Sequence, residues 1–245
     1  MIKAAILAGG LGTRLRPAVG ERPKVLARVH GRPFLSYLLE QVAAAGIQEV
    51  VLCTGYLGEQ VRAEVGDQFG AVKVRYSREL EPLGTAGALR LALPLLDCDP
   101  VLVLNGDSCC RADLSAFVSW HRACAGDSAG SLVLTWVEDA SRYGTVGVDG
   151  SGGIVSFREK TELAIPGWIN AGVYLLSRRL LASIPADGVV SIERDVFPAW
   201  VGPQLRAYQV EVPFIDIGTP KSYADAETFF ADRGVPSFPR IGDQG

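Results

Sequence analysis

Histidine is almost missing from this chain: 245 residues contain two, His30 and His121. The five cysteines, Cys53, Cys98, Cys109, Cys110 and Cys124, are odd in number and never fall in a C-x-x-C pair. That inventory argues against a zinc centre and against a disulfide scaffold, and it suits a reducing compartment. Positive charge is not in surplus either, the net charge being −3, so nucleic acid is not an expected partner. A small phosphorylated molecule stays open, because it needs just a few local cations. No apolar run approaches the roughly 20 residues of a membrane span, so no membrane partner is expected. The apolar start, Met1 to Ala8, is too short for the core of a secretory signal and runs straight into Gly9-Gly10. A cytoplasmic protein is the expectation. There is no internal repeat and no hexapeptide β-helix pattern. What the chain does have is apolar material, 48% of its residues, enough for one domain with a large core.

The first half alternates two kinds of segment. Lys3–Ala8, Glu49–Thr54, Val72–Ser77, Val101–Asn105 and Ser131–Val137 are short apolar runs, read as strands. Between them, Phe34–Ala45, Leu57–Val65, Thr85–Leu93 and Leu114–Ala125 carry helical spacing; Phe34, Leu35, Leu38, Leu39 and Val42 form one face, stopped by Gly46. His121 is expected on the polar side of its helix, without a catalytic role. Trp120, Trp136, Trp168 and Trp200 are expected in the core or in a pocket wall. Strands and helices alternating at this spacing predict an α/β fold with a mostly parallel sheet covered on both faces. Ligands then bind at the carboxyl ends of the strands, which singles out the loops after Ala8 and Asn105.

The second half is less regular. Thr145–Val148 and Ile154–Glu159 flank a turn at Asp149–Gly153; Trp168–Leu176, Leu205–Val210 and Phe214–Ile217 read as strands. Arg178–Ser183 and Ile192–Val201 read as helices, and Thr219 with Pro220 opens a last helix to about Arg233. One domain over residues 1–233 is expected. Its second part, from about 138, is an insertion forming one wall of a site, and 234–245 is a flexible tail.

The strongest chemical signal is Leu7-Ala8-Gly9-Gly10-Leu11-Gly12-Thr13-Arg14-Leu15-Arg16-Pro17, followed by Pro23-Lys24. Glycines directly after a buried strand let backbone N–H groups approach an anion, and Arg14 and Lys24 add fixed positive charge. The Walker pattern is excluded for want of Gly-Lys-Ser/Thr. The dinucleotide pattern fails because Leu15 stands where its third glycine belongs.

Those residues resemble the signature of the sugar-1-phosphate nucleotidyltransferases. The resemblance continues through Glu81-Pro82-Leu83-Gly84-Thr85-Ala86-Gly87, Asn105-Gly106-Asp107-Ser108, Glu159-Lys160, Asn170-Ala171-Gly172-Val173-Tyr174 and Phe214-Ile215-Asp216-Ile217-Gly218. Within that family, Tyr143-Gly144-Thr145-Val146 and the Asp216 segment resemble the branch acting on D-glycero-α-D-manno-heptose 1-phosphate, with GDP-mannose pyrophosphorylases next. Departures are Val25 after Lys24 and Cys109-Cys110 where an aromatic pair is common. The resemblance implies a three-layer, Rossmann-like nucleotidyltransferase fold with a sugar-binding insertion. It implies nucleotidyl transfer from an NTP to a sugar 1-phosphate, releasing pyrophosphate. It implies that Asp107 and Asp216 share one Mg²⁺, a hard ion suited to carboxylates and phosphates. Arg14 and Lys24 are then the catalytic cations. Leu7, Ala8, Gly9, Gly10, Gly12, Thr13, Glu81, Gly84, Thr85, Asn105 and Gly106 hold the nucleotide. Gly144, Glu159, Lys160, Asn170 and Gly172 hold the sugar phosphate. A homo-oligomer is compatible with the family.

Glu81 stands where uridylyl and thymidylyl relatives resemble each other in having glutamine. A carboxylate is acceptor-only and suits the paired N1–H and N2–H₂ donors of guanine, so GTP is the expected nucleotide. Uridylyl, thymidylyl or cytidylyl transfer on the same fold is the alternative. A catalytically silent sensor of nucleotide sugars is a further one, disfavoured because Arg14, Lys24, Asp107 and Asp216 are all present.

Overall fold

The computed structural model of the chain describes residues 2–10, 12–15, 19–125, 127–158 and 164–231. Strand β1 (Ala4–Leu7) is followed by a small hairpin, β2 (Arg28–Val29) and β3 (Arg32–Pro33), and by helix α1 (Phe34–Ala44). Then come β4 (Glu49–Thr54), α2 (Gly58–Val65), β5 (Gln68–Phe69), β6 (Val72–Arg78), α3 (Gly84–Ala92) and β7 (Val101–Asn105). The first half ends with β8 (Ser108–Cys110), α4 (Leu114–Cys124) and β9 (Gly130–Val137), and the second half runs β10 (Thr145–Val148), β11 (Gly153–Arg158), β12 (Gly167–Leu176) and α5 (Arg178–Ser183). It closes with β13 (Gly202–Val210), β14 (Phe214–Asp216) and α6 (Pro220–Ala231).

Ten strands form one sheet in the order β10-β11-β13-β9-β12-β7-β1-β4-β6-β5. The expected parallel pairing is its centre, where β7, β1, β4 and β6 lie parallel side by side. Outside them β12 runs antiparallel to both β7 and β9, and β13 lies parallel to β9. The second half therefore extends the sheet of the first. Alternation along the strands explains two cores. Ala4, Ile6, Val50, Leu52, Leu102 and Leu104 pack on one face with α1, while Ala5, Val51, Val101 and Val103 pack on the other with α3 and α5. No helix among the described residues is long and apolar enough to cross a membrane.

Three expectations need correction. His121 is buried, not on the polar side: with Leu114 and Phe117 it forms the inward stripe of α4, and its Nδ1 lies 2.8 Å from Ser131 Oγ on β9. Burial lowers its pKa, so the ring stays neutral near pH 7. Ile192–Val201 is not one helix. It is a π turn at Ile192–Val196 joined to a 3-10 turn at Phe197–Trp200, because Pro198 has no N–H to continue the helical ladder. Trp136 is exposed: β9 is buried on both faces from Gly130 to Thr135, and that cover ends before Trp136, near the strand's end.

Candidate active site

The order β6-β4-β1-β7 reverses direction of travel beside β1: the chain moves to one side for β4 and β6, then crosses back for β7. The crevice outside the carboxyl ends of β1 and β7 is thus the binding position of an open α/β sheet. Its roots are tied together. The Ala8 N–H donates to the Cys53 carbonyl (2.8 Å) and the Gly106 N–H to the Leu7 carbonyl (3.0 Å). Beyond Gly10, a tight turn in which Leu15 N–H reaches the Gly12 carbonyl (2.9 Å) buries Leu15 and leaves Thr13 and Arg14 outside.

Two adjoining cavities open here. One, of about 360 Å³, is lined by Leu7, Gly9, Gly10, Lys24, Gly84, Thr85, Asn105, Gly106 and Asp107, together with Glu79 and Glu193. The other, of about 650 Å³, has Arg14, Gly144, Asn170, Gly172 and Asp216 in its wall, with Arg142, Tyr143 and Glu193. Asn105, Asp107 and Glu193 border both. The expected nucleotide and sugar groups therefore separate into two neighbouring spaces. Ala8 is buried beneath the first, and Gly12 and Thr13 border neither. Glu159 and Lys160 lie outside the described residues. Neither histidine lines these cavities.

Acidic and basic groups alternate along the border. β8 and β14 form a small antiparallel ladder that places Ser108 opposite Asp216, and the Ile217 N–H donates to the Asp107 carbonyl (2.9 Å). The two aspartates, remote in sequence, are thereby neighbours. Lys24 Nζ lies 2.6 Å from Asp107 Oδ2. Asp216 accepts from Tyr143 O–H (2.6 Å), Gly218 N–H (2.8 Å) and Arg142 Nη2 (2.8 and 3.1 Å). Burial and the Asp216 charge push the Tyr143 phenol pKa up, so it remains a donor. Two adjacent carboxylates at the mouth of a phosphate-sized crevice are the donor chemistry a magnesium ion takes, completed by phosphate oxygens.

Between the cavities, β12 breaks register with β9 from Asn170 to Tyr174. Gly172 sits there with φ +72°, and a methyl on it would stand 2.8 Å from Ser108 Oγ. The bulge turns Asn170 toward Tyr174, whose hydroxyl lies 2.9 Å from Asn170 Nδ2 and donates to Glu193 Oε1 at 3.3 Å. Thr85 Oγ1 accepts from Ile192 N–H (2.8 Å) and donates to Glu193 Oε2 (3.2 Å). Glu193 is thus a carboxylate held by neutral donors, with no cation among the partners named.

Glu81 is exposed at the outer rim of a smaller pocket, beside Gly9, Tyr56 and Glu79. Glu79 reaches further in. It accepts from Leu83 N–H (3.1 Å), a methyl on Gly9 would stand 2.9 Å from its Oε1, and burial raises its pKa. Sequence reasoning missed Glu79, Arg142, Tyr143 and Glu193. Tyr143 stands inside a motif that carried the resemblance but was given no site role; Glu79 and Glu193 had no local signal beyond proximity to Glu81 and a helix-like segment.

The nucleotidyl transferase family model matches residues 3–233. A mannose-1-phosphate guanylyltransferase of Mycobacterium tuberculosis is 36% identical over 244 residues, 98% of this chain and 67% of that relative. A D-glycero-alpha-D-manno-heptose 1-phosphate guanylyltransferase of Campylobacter jejuni is 36% identical over 222 residues, 91% of this chain and 97% of that relative. Among solved structures, HddC of Yersinia pseudotuberculosis complexed with GMP-PN superposes with a TM-score of 0.82 at 34% identity, covering 94% of this chain and 100% of that one. The chain spans 60–67% of the length of the curated mannose-1-phosphate guanylyltransferases it matches.

Proposed function

This chain belongs to the nucleotidyl transferase family, and from that premise we propose that it is a sugar-1-phosphate guanylyltransferase, joining GTP to a sugar 1-phosphate with release of pyrophosphate. The observation that carries the reading is a pair of adjoining cavities that share Asp107, with Lys24 paired to Asp107 in the wall of the first and Asp216 and Arg14 in the wall of the second. We take D-glycero-α-D-manno-heptose 1-phosphate as the favoured sugar phosphate, supported by the nearly complete mutual coverage with the Campylobacter enzyme. Mannose 1-phosphate is the second reading, supported by relatives of similar identity.

The attacking group is a phosphate oxygen, already ionised near pH 7 with a second pKa about 6 by analogy with phospho-amino acids. The protein therefore needs to position and neutralise rather than abstract a proton. Asp107 and Asp216 would hold Mg²⁺, which supplies a dication drawing the phosphates of both substrates together. Arg14, exposed at the cavity edge, neutralises charge on the leaving pyrophosphate. Lys24 holds the α-phosphate. Gly84 and Thr85 bring the start of α3 to the nucleotide. Asn170 and Glu193 present hydrogen-bonding groups to sugar hydroxyls, with the buried Tyr174 hydroxyl holding both from beneath, and the Gly144 backbone allows close approach. Glu79 and Glu81 offer carboxylate acceptors at the base end, which match guanine's adjacent donors.

The test is pyrophosphate release with Mg²⁺, crossing GTP, ATP, CTP, UTP and dTTP with heptose, mannose and glucose 1-phosphates. Turnover restricted to GTP and one sugar phosphate is expected. Arg14→Ala should lower kcat about 100-fold or more, and Asp107→Ala should abolish turnover with an unchanged circular dichroism spectrum. Preference for another base would discard the reading of the glutamates. Near-normal turnover in Asp107→Ala would discard the site.

A further inference from the structure

Asp216 is fully subscribed by this chain's own donors. A carboxylate has about four acceptor sites. One on each oxygen is taken by groups that cannot leave easily: the Gly218 N–H on Oδ1 at 2.8 Å, and on Oδ2 the Tyr143 hydroxyl at 2.6 Å, whose ring packs edge-on against Phe214. The remaining site on each oxygen faces Arg142 Nη2, at 3.1 and 2.8 Å. A dication entering at Asp216 must therefore take the place of the Arg142 guanidinium, and it would repel it once there. Asp216 is sheltered, with 16% of its side chain exposed, whereas Arg142 is 41% exposed and sits in the chain segment just ahead of β10. Arg142 Nη2 also lies 3.3 Å from Ser222 Oγ and the guanidinium sits over the Tyr143 ring at 5.3 Å, but these are weak neutral contacts on the more exposed of the two partners, so the guanidinium is the one that moves. The large cavity is a destination within reach, since Arg142 already lines it together with Arg14 and Arg158. A guanidinium released into such a space is a two-pronged donor for a phosphate.

We propose that Arg142 is a place-holding cation: it neutralises Asp216 in the metal-free protein, yields that carboxylate to the divalent ion, and then binds the phosphate of the sugar 1-phosphate. Metal binding and phosphate binding are thereby coupled through one side chain. The proposal rests on the reading of Asp107 and Asp216 as metal-holding residues.

Both can be tested separately by titrating Mn²⁺ into protein without nucleotide or sugar and following the free ion by electron paramagnetic resonance. Asp216→Ala should weaken Mn²⁺ binding at least about tenfold, as loss of one of two charged ligands. Arg142→Ala should tighten it, by about fivefold at most, the worth of a half-exposed ion pair. Arg142→Lys should fall between wild type and Arg142→Ala, and it guards against a folding defect in the alanine variant. At saturating Mn²⁺, Arg142→Ala should bind mannose 1-phosphate about tenfold more weakly in calorimetry. Wild-type Mn²⁺ affinity in Asp216→Ala would remove the metal reading itself. Weakened binding in Asp216→Ala, with unchanged or weaker binding in both Arg142 variants, would overturn the place-holding role alone. Unchanged mannose 1-phosphate affinity in Arg142→Ala would overturn the second half of the proposal.

Discussion

Glu79 shows how far one carboxylate's surroundings set its behaviour. It is half-buried beside Gly9 and Gly55, its charge opposed by desolvation and eased by one backbone donor, Leu83 N–H. Its folded pKa is raised, so the protonated side chain stabilises the fold at low pH and that contribution is lost as pH rises through the raised value. Glu79→Gln keeps an acceptor for Leu83 and removes the charge. It should melt higher than wild type at neutral pH, by no more than about 2–4 °C, and the gap should close below about pH 4, where the wild-type side chain is neutral in both states. Thermal melts from pH 3 to 8 check this; a gap independent of pH would mean that charge is not the cause. Glu81, two residues on, is exposed on the rim. The sequence pointed to Glu81 alone through its place in a motif; the difference in burial between the two glutamates is not legible in it.

Helix α3 begins at a position that reaches well beyond the helix. Gly84 has φ +76°, and a methyl there would stand 2.4 Å from the Val190 carbonyl oxygen. The contact is close because Val190 is laced to the helix start: Val190 N–H donates to Leu83 O (2.8 Å), and Ala86 N–H donates to Val190 O (2.9 Å). Thr85 then fixes Ile192 and Glu193. Gly84→Ala should therefore cost about 1–3 kcal/mol from backbone strain, and should raise KM for both substrates by moving the border between the cavities. Urea unfolding and steady-state kinetics test this, and wild-type values in both would show that the lacing is incidental. Helix starts and glycine turns of this kind are visible in sequence. The partner 105 or so positions away is not, because such contacts depend on how α3 packs rather than on any period.

At the level of the complete molecule, the two halves share one sheet: β12 from the second half lies between β7 and β9 of the first, and β13 adds beyond β9. Calorimetry should accordingly show one unfolding transition rather than two. GTP with Mg²⁺ at about 100 times Kd should move that transition up as a unit, by about 2.7 kcal/mol of stabilisation. Two transitions, with one unaffected by ligand, would show that the halves unfold independently. A site assembled at such a junction responds to changes on either side of it.

By itself, the sequence determined what depends on near neighbours along the chain. The central strands and their helices follow from periodic apolar spacing, and Gly9, Gly10, Asp107 and Asp216 stand out through motif and composition. His121 is legible in principle, since it shares the helical stripe of Leu114 and Phe117. Tertiary structure alone decided the rest. The β8–β14 ladder brings Asp107 to Asp216, Lys24 comes to Asp107, Arg142 closes on Asp216, and Tyr174 meets Glu193. Those pairings are set by strand order and register, in which residues far apart along the chain share a face; local spacing carries information about which face a side chain takes and none about what waits there.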